Sequence, residues 1–68
     1  MQFELNKNYN YNTIVNSINA DWSINEYGEN EIGNNFISLE NAMEDTRYSF
    51  VLTGFMGRYI YKCIWVWE

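Results

Sequence analysis

The last third of the chain restricts the fold more than any other stretch. RYSFVLT (47–53), GFMG (54–57) and RYIYKCIWVWE (58–68) read as a β-rich run, a glycine-bounded turn and a second β-rich run, the pattern of an antiparallel hairpin. Pairing Thr53 with Arg58 sets Leu52 opposite Tyr59, Phe50 opposite Tyr61 and Tyr48 opposite Cys63. At a period of two, Tyr59, Tyr61, Cys63, Trp65 and Trp67 then share a face with Tyr48, Phe50 and Leu52. Arg47, Ser49, Thr53, Arg58 and Lys62 take the other face. A slip of one residue joins Tyr48, Phe50 and Leu52 to Ile60, Ile64 and Val66 instead. The first register separates polar from apolar side chains and is the one expected.

A chain of 68 residues holds a single domain, taken as 1–68, and one this short buries only about 60% of its unfolded surface. The usual staples of small domains are missing. Cys63 is the one cysteine and there is no histidine, so neither an internal disulfide nor a Cys/His zinc site can form. Stability must rest on the aromatic residues, 19% of the chain, helped by self-association or by docking on a partner.

Ahead of the hairpin, Tyr11, Ile14, Val15, Ile18 and Trp22 follow the spacing i, i+3, i+4, i+7, i+11, which predicts an amphipathic helix over 11–22 with Asn10 or Asn12 as N-cap. Thr13, Ile14, Val15 and the Asn and Ser residues lower its intrinsic propensity, so the helix depends on packing. MQFEL (1–5) reads as a short strand. SINEYGENEIGNN (23–35) reads as a loop, with a hairpin arm through Ile24–Tyr27. SLENAMEDT (38–46) has Ser38 as a natural N-cap and Leu39, Ala42 and Met43 on one face, and reads as a second short helix, although FISL can extend as a strand. The fold class expected is α+β: an N-terminal amphipathic helix packed on a small antiparallel sheet built around the C-terminal hairpin.

The net charge of −5 is unevenly spread. Between Asn8 and Thr46 there is no Lys or Arg, while Asp21, Glu26, Glu29, Glu31, Glu40, Glu44 and Asp45 contribute −7. From Arg47 to Trp67 there is no acid, while Arg47, Arg58 and Lys62 contribute +3. The plain account is a solvated acidic surface that keeps a small protein soluble. The sharper one is a carboxylate surface presented to a basic cleft, of the kind that proteins handling nucleic acid carry to neutralise phosphates. In general character the chain is similar to the short, acidic, non-catalytic inhibitors by which phages and mobile elements block nucleases and restriction or CRISPR machinery. No motif carries that likeness.

Other chemistries lack their residues. Without histidine, neither a Ser–His nor a Cys–His nucleophile can be assembled, and Cys63 amid bulky strand residues reads as a small buried hydrophobe. NEYGENEIGN (25–34) is rich in oxygen ligands but lacks the spacing of a calcium loop. GFMGR has no phosphate-loop pattern. Base stacking on the aromatic row is disfavoured, because Arg47, Arg58 and Lys62 alternate away from it and the rest of the chain repels phosphate.

No apolar run of roughly 18 residues is present to span a membrane, and nothing at the start has the pattern of a signal peptide. The unpaired cysteine fits a reducing compartment, so a cytoplasmic location is expected. The sequence therefore predicts a non-enzymatic protein, without cofactor or metal, that binds and inhibits or modulates a partner protein. Asp21, Glu26, Glu29, Glu31, Glu40, Glu44 and Asp45 are its candidate acidic surface. Phe55, Met56, Trp65 and Trp67 are its candidate aromatic anchors, Phe55 and Met56 at the hairpin tip and Trp65 and Trp67 near the C-terminus. The alternative is a structural or accessory protein that homo-oligomerises through the aromatic C-terminal hairpin, a homodimer included. Direct binding to nucleic acid or membrane is not expected.

Overall fold

The computed structural model describes residues 3–29 and 34–67. Its elements are β1 (Asn8–Asn10), α1 (Tyr11–Asn16), β2 (Ser23–Glu29), β3 (Asn34–Asn41), β4 (Thr46–Phe55) and β5 (Tyr59–Trp67). The strands form one sheet in the order β1-β5-β4-β3-β2, antiparallel throughout. β2 to β5 make a meander, and β1 docks on the far side of β5. The chain therefore crosses the whole sheet between α1 at one edge and β2 at the other.

This architecture overturns the α+β expectation: the molecule is mostly antiparallel sheet with one short helix. Helix α1 has six residues, not the twelve of 11–22. Asn10 caps it, its Oδ1 accepting from the Thr13 N–H at 2.8 Å. The helix ends at the Asn16–Ser17 pair, where intrinsic propensity gives no support. Ile18 and Trp22 still pack against the core. Their spacing marked residues the core requires, and they reach it from an irregular crossing segment.

The second predicted helix, 38–46, is also corrected. Ile37, Leu39 and Asn41 are buried in alternation, so β3 continues to Asn41 and a four-residue turn follows before β4. Asn41 shapes that turn: its Oδ1 accepts from the Met43 and Glu44 N–H groups at 3.1 and 3.2 Å. Asp45 closes it at φ 55. Met43, assigned to an apolar helix face, is 83% exposed. Of the predicted loop 23–35, residues 23–29 are strand β2, which contains the expected arm Ile24–Tyr27, and 34–35 begin β3; residues 30–33 lie outside the described residues. Phe3–Leu5 form no strand, and residues 1 and 2 lie outside the described residues.

The N-terminal third covers one face of the sheet. Inner-face residues Ile37, Leu39, Tyr48, Phe50, Tyr61 and Cys63 are buried together with Phe3 and Ile14 from the covering segment. Phe3 sets its ring edge-on to Tyr9, Tyr48 and Phe50, with centroids 5.0, 5.2 and 5.1 Å away. Trp22 stacks on Tyr48 at 6.0 Å. Each such pair adds about 0.5–1.5 kcal/mol beyond the area it buries.

The hairpin register differs from the expected one. Leu52 pairs with Tyr61 and Phe50 with Cys63, a displacement of two residues that changes partners and preserves faces. Two irregularities interrupt the ladder. Between Leu52 and Gly54, Thr53 is extra on β4; between Cys63 and Trp65, Ile64 is extra on β5. A bulge inverts the alternation beyond it. Past Ile64, Val66 joins Tyr48 on the inner face, while Trp65 and Trp67 pair with Ser49 and Arg47 on the outer face. The single aromatic row is thus broken, and Trp65 and Trp67 share a face with Arg47 and Lys62, not with Tyr61.

Two measurements check this account. Deleting Ile64 removes the extra residue and leaves Cys63 and Val66 inward and both tryptophans outward. The variant is expected to unfold cooperatively with solvent-exposed tryptophan fluorescence, whereas an unbulged strand would be inverted by the deletion and lose its fold. Asn41→Ala strands two turn amides and is expected to lower stability by about 1–3 kcal/mol in urea titration.

Candidate functional site

The outer face is where the fold leaves side chains without cover. Strand pairing arranges it in three ranks: Ser23, Glu40, Arg47 and Trp67; then Asn25, Ser38, Ser49 and Trp65; then Tyr27, Phe36, Val51 and Lys62. Trp65, Trp67 and Tyr27 are 45%, 47% and 51% exposed. The middle of the face is serine and asparagine, with aromatic residues at opposite corners. Tyr27 stacks on Phe36 at 5.5 Å in one corner, and the two tryptophans occupy the other.

The tryptophan corner is held in place by its neighbours. Trp65 and Trp67 meet edge to face, with centroids 5.9 Å apart and planes 68° apart. The Arg47 guanidinium lies 5.5 Å from the Trp67 ring centre and also pairs with the Glu40 carboxylate on the next strand. Glu40, Arg47 and Trp67 form a cross-strand ladder of anion, cation and π face. The bulge brings Arg47 and Lys62 to the tryptophan side, which removes one stated objection to base stacking. The ring geometry supplies another. Planes 68° apart give no flat platform, and a guanidinium already covers a face of Trp67.

The other aromatic candidates lie elsewhere. Phe55 and Met56, 57% and 85% exposed, stand at the tip of the β4–β5 hairpin, where Phe55 pairs with Tyr59 at 5.1 Å. Their end of β5 is roughly 25 Å from Trp67 by strand rise. The structure does not bring the four residues into one surface.

The acidic candidates divide as well. Asp21 lies two residues before the start of β2, Glu40 stands near the end of β3, and Glu44 and Asp45 lie in the β3–β4 turn, so these four share the Trp67 end of the sheet. Arg47 neutralises Glu40. Asp21, Glu44 and Asp45 are exposed, and among the described residues no cation pairs with them. Glu26 and Glu29 lie along edge strand β2; the Glu29 side chain and all of Glu31 are outside the described residues.

Glu26 has a structural task that the charge pattern did not reveal. It pairs with Ile37, on the inner side of the sheet, and the Tyr11 hydroxyl donates to its carboxylate. This bond ties α1, packed at one edge, to β2 at the other. Only the strand reading of 23–29 places Glu26 inward, so a loop assignment hides the contact. The same alternation sends Asn25 outward, so the side-chain oxygens of Asn25 and Glu26 diverge. Among the described residues no three His, Cys, Asp or Glu side chains gather as a metal site would require.

The inner face titrates at high pH. Burial first, and then the hydrogen bond to Glu26, raises Tyr11 above its ordinary 10.0. Burial, and then the Glu26 charge, raises Tyr61 above 10.0. Burial lifts the Cys63 thiol above 9.0, so Cys63 is a packed hydrophobe and a poor nucleophile. The sign follows from linkage. These groups are held neutral in the folded chain, so their contribution is complete below the unfolded values and is lost as pH rises through the folded ones. Urea midpoints are expected to be flat from about pH 7 to about pH 9 and to fall above that range. Tyr11→Phe should be less stable at neutral pH, having lost the tether, and its midpoint should fall less steeply in alkali.

Among the described residues no helix is long and apolar enough to cross a membrane. No protein-family model, curated protein or solved structure matches the chain.

Proposed function

We propose that this is a non-enzymatic binding protein that docks on a partner protein bearing a basic surface and thereby inhibits or modulates it. The contact is the outer sheet face at its Trp67 end. Trp65 and Trp67 act as anchors, and Asp21, Glu44 and Asp45 steer the approach. The observation that carries this reading is the exposure of both tryptophans, 45% and 47%, at the same end of the sheet as exposed carboxylates. Trp, Tyr and Arg are the residues that dominate binding energy at protein interfaces. Fixed charges around such anchors mainly set association rate and partner choice.

This reading refines the simpler picture of a carboxylate field filling a nucleic-acid cleft. With Glu40 paired to Arg47 and Glu26 bonded to Tyr11, the acids work as a rim and the aromatic residues as the grip. A cytoplasmic nuclease or defence enzyme with a phosphate-binding channel has the surface chemistry that suits the rim.

The test is a pull-down from host lysate at low and high salt, followed by kinetics on the recovered partner. Trp65→Ala and Trp67→Ala should each weaken binding about thirtyfold, chiefly through faster dissociation. Glu44→Lys with Asp45→Lys should slow association and flatten its salt dependence. A complex indifferent to both tryptophans would eliminate this docking face.

A further inference from the structure

The two edges of the sheet are guarded differently. Edge strand β2 carries Glu26 and Glu29 among its seven residues and has Gly28 at φ 72. Charges and backbone irregularities of this kind stop an edge from recruiting another strand. At the opposite edge, β1 pairs with β5 only from Ile60 to Lys62. The coil before β1 adds Asn6 N–H to the Cys63 carbonyl at 2.8 Å and Cys63 N–H to the Lys7 carbonyl at 2.9 Å. Beyond that point Ile64, Trp65, Val66 and Trp67 have β4 on one side and, among the described residues, no strand on the other. This stretch has no charge, proline or glycine, and Ile64 is 43% exposed. An uncharged aromatic edge is a template for strand addition.

We propose that a second copy of this chain covers that edge, β5 pairing antiparallel with its twin about a two-fold axis through Val66. The residues 65–67 read Trp-Val-Trp, the same in both directions, so antiparallel self-pairing sets tryptophan against tryptophan. The pleat fixes the axis, because residues paired across strands share a face. Trp65 and Trp67 are outer and Val66 is inner. An axis on Val66 places Val66 opposite itself and Trp65 opposite Trp67 of the second copy. An axis on Trp65 would place inner Cys63 against outer Trp67, and the Cys63 N–H and carbonyl already serve Lys7 and Asn6. An axis between two residues would pair an outer residue with an inner one.

Charge favours the same occupant. No ionised side chain lies between Cys63 and Trp67, so residues 65–67 of the two copies meet about the axis without charge despite a net charge of −5 each. Cross-strand aromatic pairs stabilise such a contact. The indole rings stay on the outer face, and the dimer aligns both tryptophan pairs in one row. The inference does not depend on the proposed partner protein, although a dimer would present that docking corner twice.

Sedimentation equilibrium on the full chain between about 1 µM and about 1 mM tests it. The wild type should reach twice the monomer mass, with dissociation governed by concentration. Trp65→Lys with Trp67→Lys puts like charges opposite each other and should weaken the dimer at least about tenfold. Trp65→Lys with Trp67→Glu pairs opposite charges across the axis and should recover a salt-sensitive dimer. Far-ultraviolet dichroism confirms that each variant is folded. Independently, Val66→Cys on a Cys63→Ala background should form an intermolecular disulfide on oxidation. A wild type that stays monomeric throughout, a dimer untouched by the two lysines, or failure of the lysine–glutamate variant to recover it would each overturn the assignment.

Discussion

A sheet has two faces, and among the described residues the covering segment packs on one of them. The meander runs from β2 to β5, and the segment before β2 crosses over it. That segment spends its apolar residues on a single side: Phe3 against three aromatic rings, Ile14 fully buried, and Trp22 on Tyr48. With a single cysteine and no histidine, and no metal-holding cluster among the described residues, the aromatic layer between Phe3 and the inner face supplies the cohesion. The proposed docking face is what this arrangement leaves bare.

What is left bare is set by one residue. Had β5 alternated without interruption, Trp65 and Trp67 would have pointed inward, beyond Tyr61 and Cys63, at the sheet end where Trp22 already stacks on Tyr48. Ile64 as an extra residue inverts the alternation, sends Val66 into that space and turns both indoles outward. The smaller valine fits beside Tyr48, and the tryptophans find Arg47 and Ser49 instead. Bulges commonly re-aim side chains near functional sites, and here the re-aimed residues are the largest in the chain.

The hairpin was legible in the sequence because both its strands alternate cleanly around a glycine-bounded turn. The inner set Tyr48, Phe50, Leu52, Tyr61 and Cys63 could be named from parity alone. The bulge could not, since Ile64 suits either face of a strand and no glycine or proline marks the spot. The N-terminal helix failed for a related reason: Tyr11, Ile14, Ile18 and Trp22 all reach the core, but a segment that must cross a sheet can place apolar residues at helical intervals without being a helix. Asn41 shows the limit most clearly. In SLENAMEDT it reads as a polar position on a short helix, yet it is buried to 2% exposure because its side chain serves the turn amides. Propensity describes a residue's neighbours in sequence, and these positions were decided by neighbours in space.

The same distinction changes how the charge should be understood. Seven acids in succession with no base between them suggest one continuous field. Folding distributes them by strand parity and chain reversal, and two acquire internal partners. Glu40 meets Arg47 because β3 and β4 place them opposite each other, and Glu26 turns inward to Tyr11. Among the acids whose side chains are described, Asp21, Glu44 and Asp45 stay exposed and without a cation, at the end of the sheet where Trp67 is exposed. A charge deep in a rim of this kind is screened over about 8–10 Å at physiological salt, so it influences the approach of a partner more than the strength of the final contact. Grip has to come from surface that loses water on docking, and in the docking proposed above that surface is the tryptophan corner.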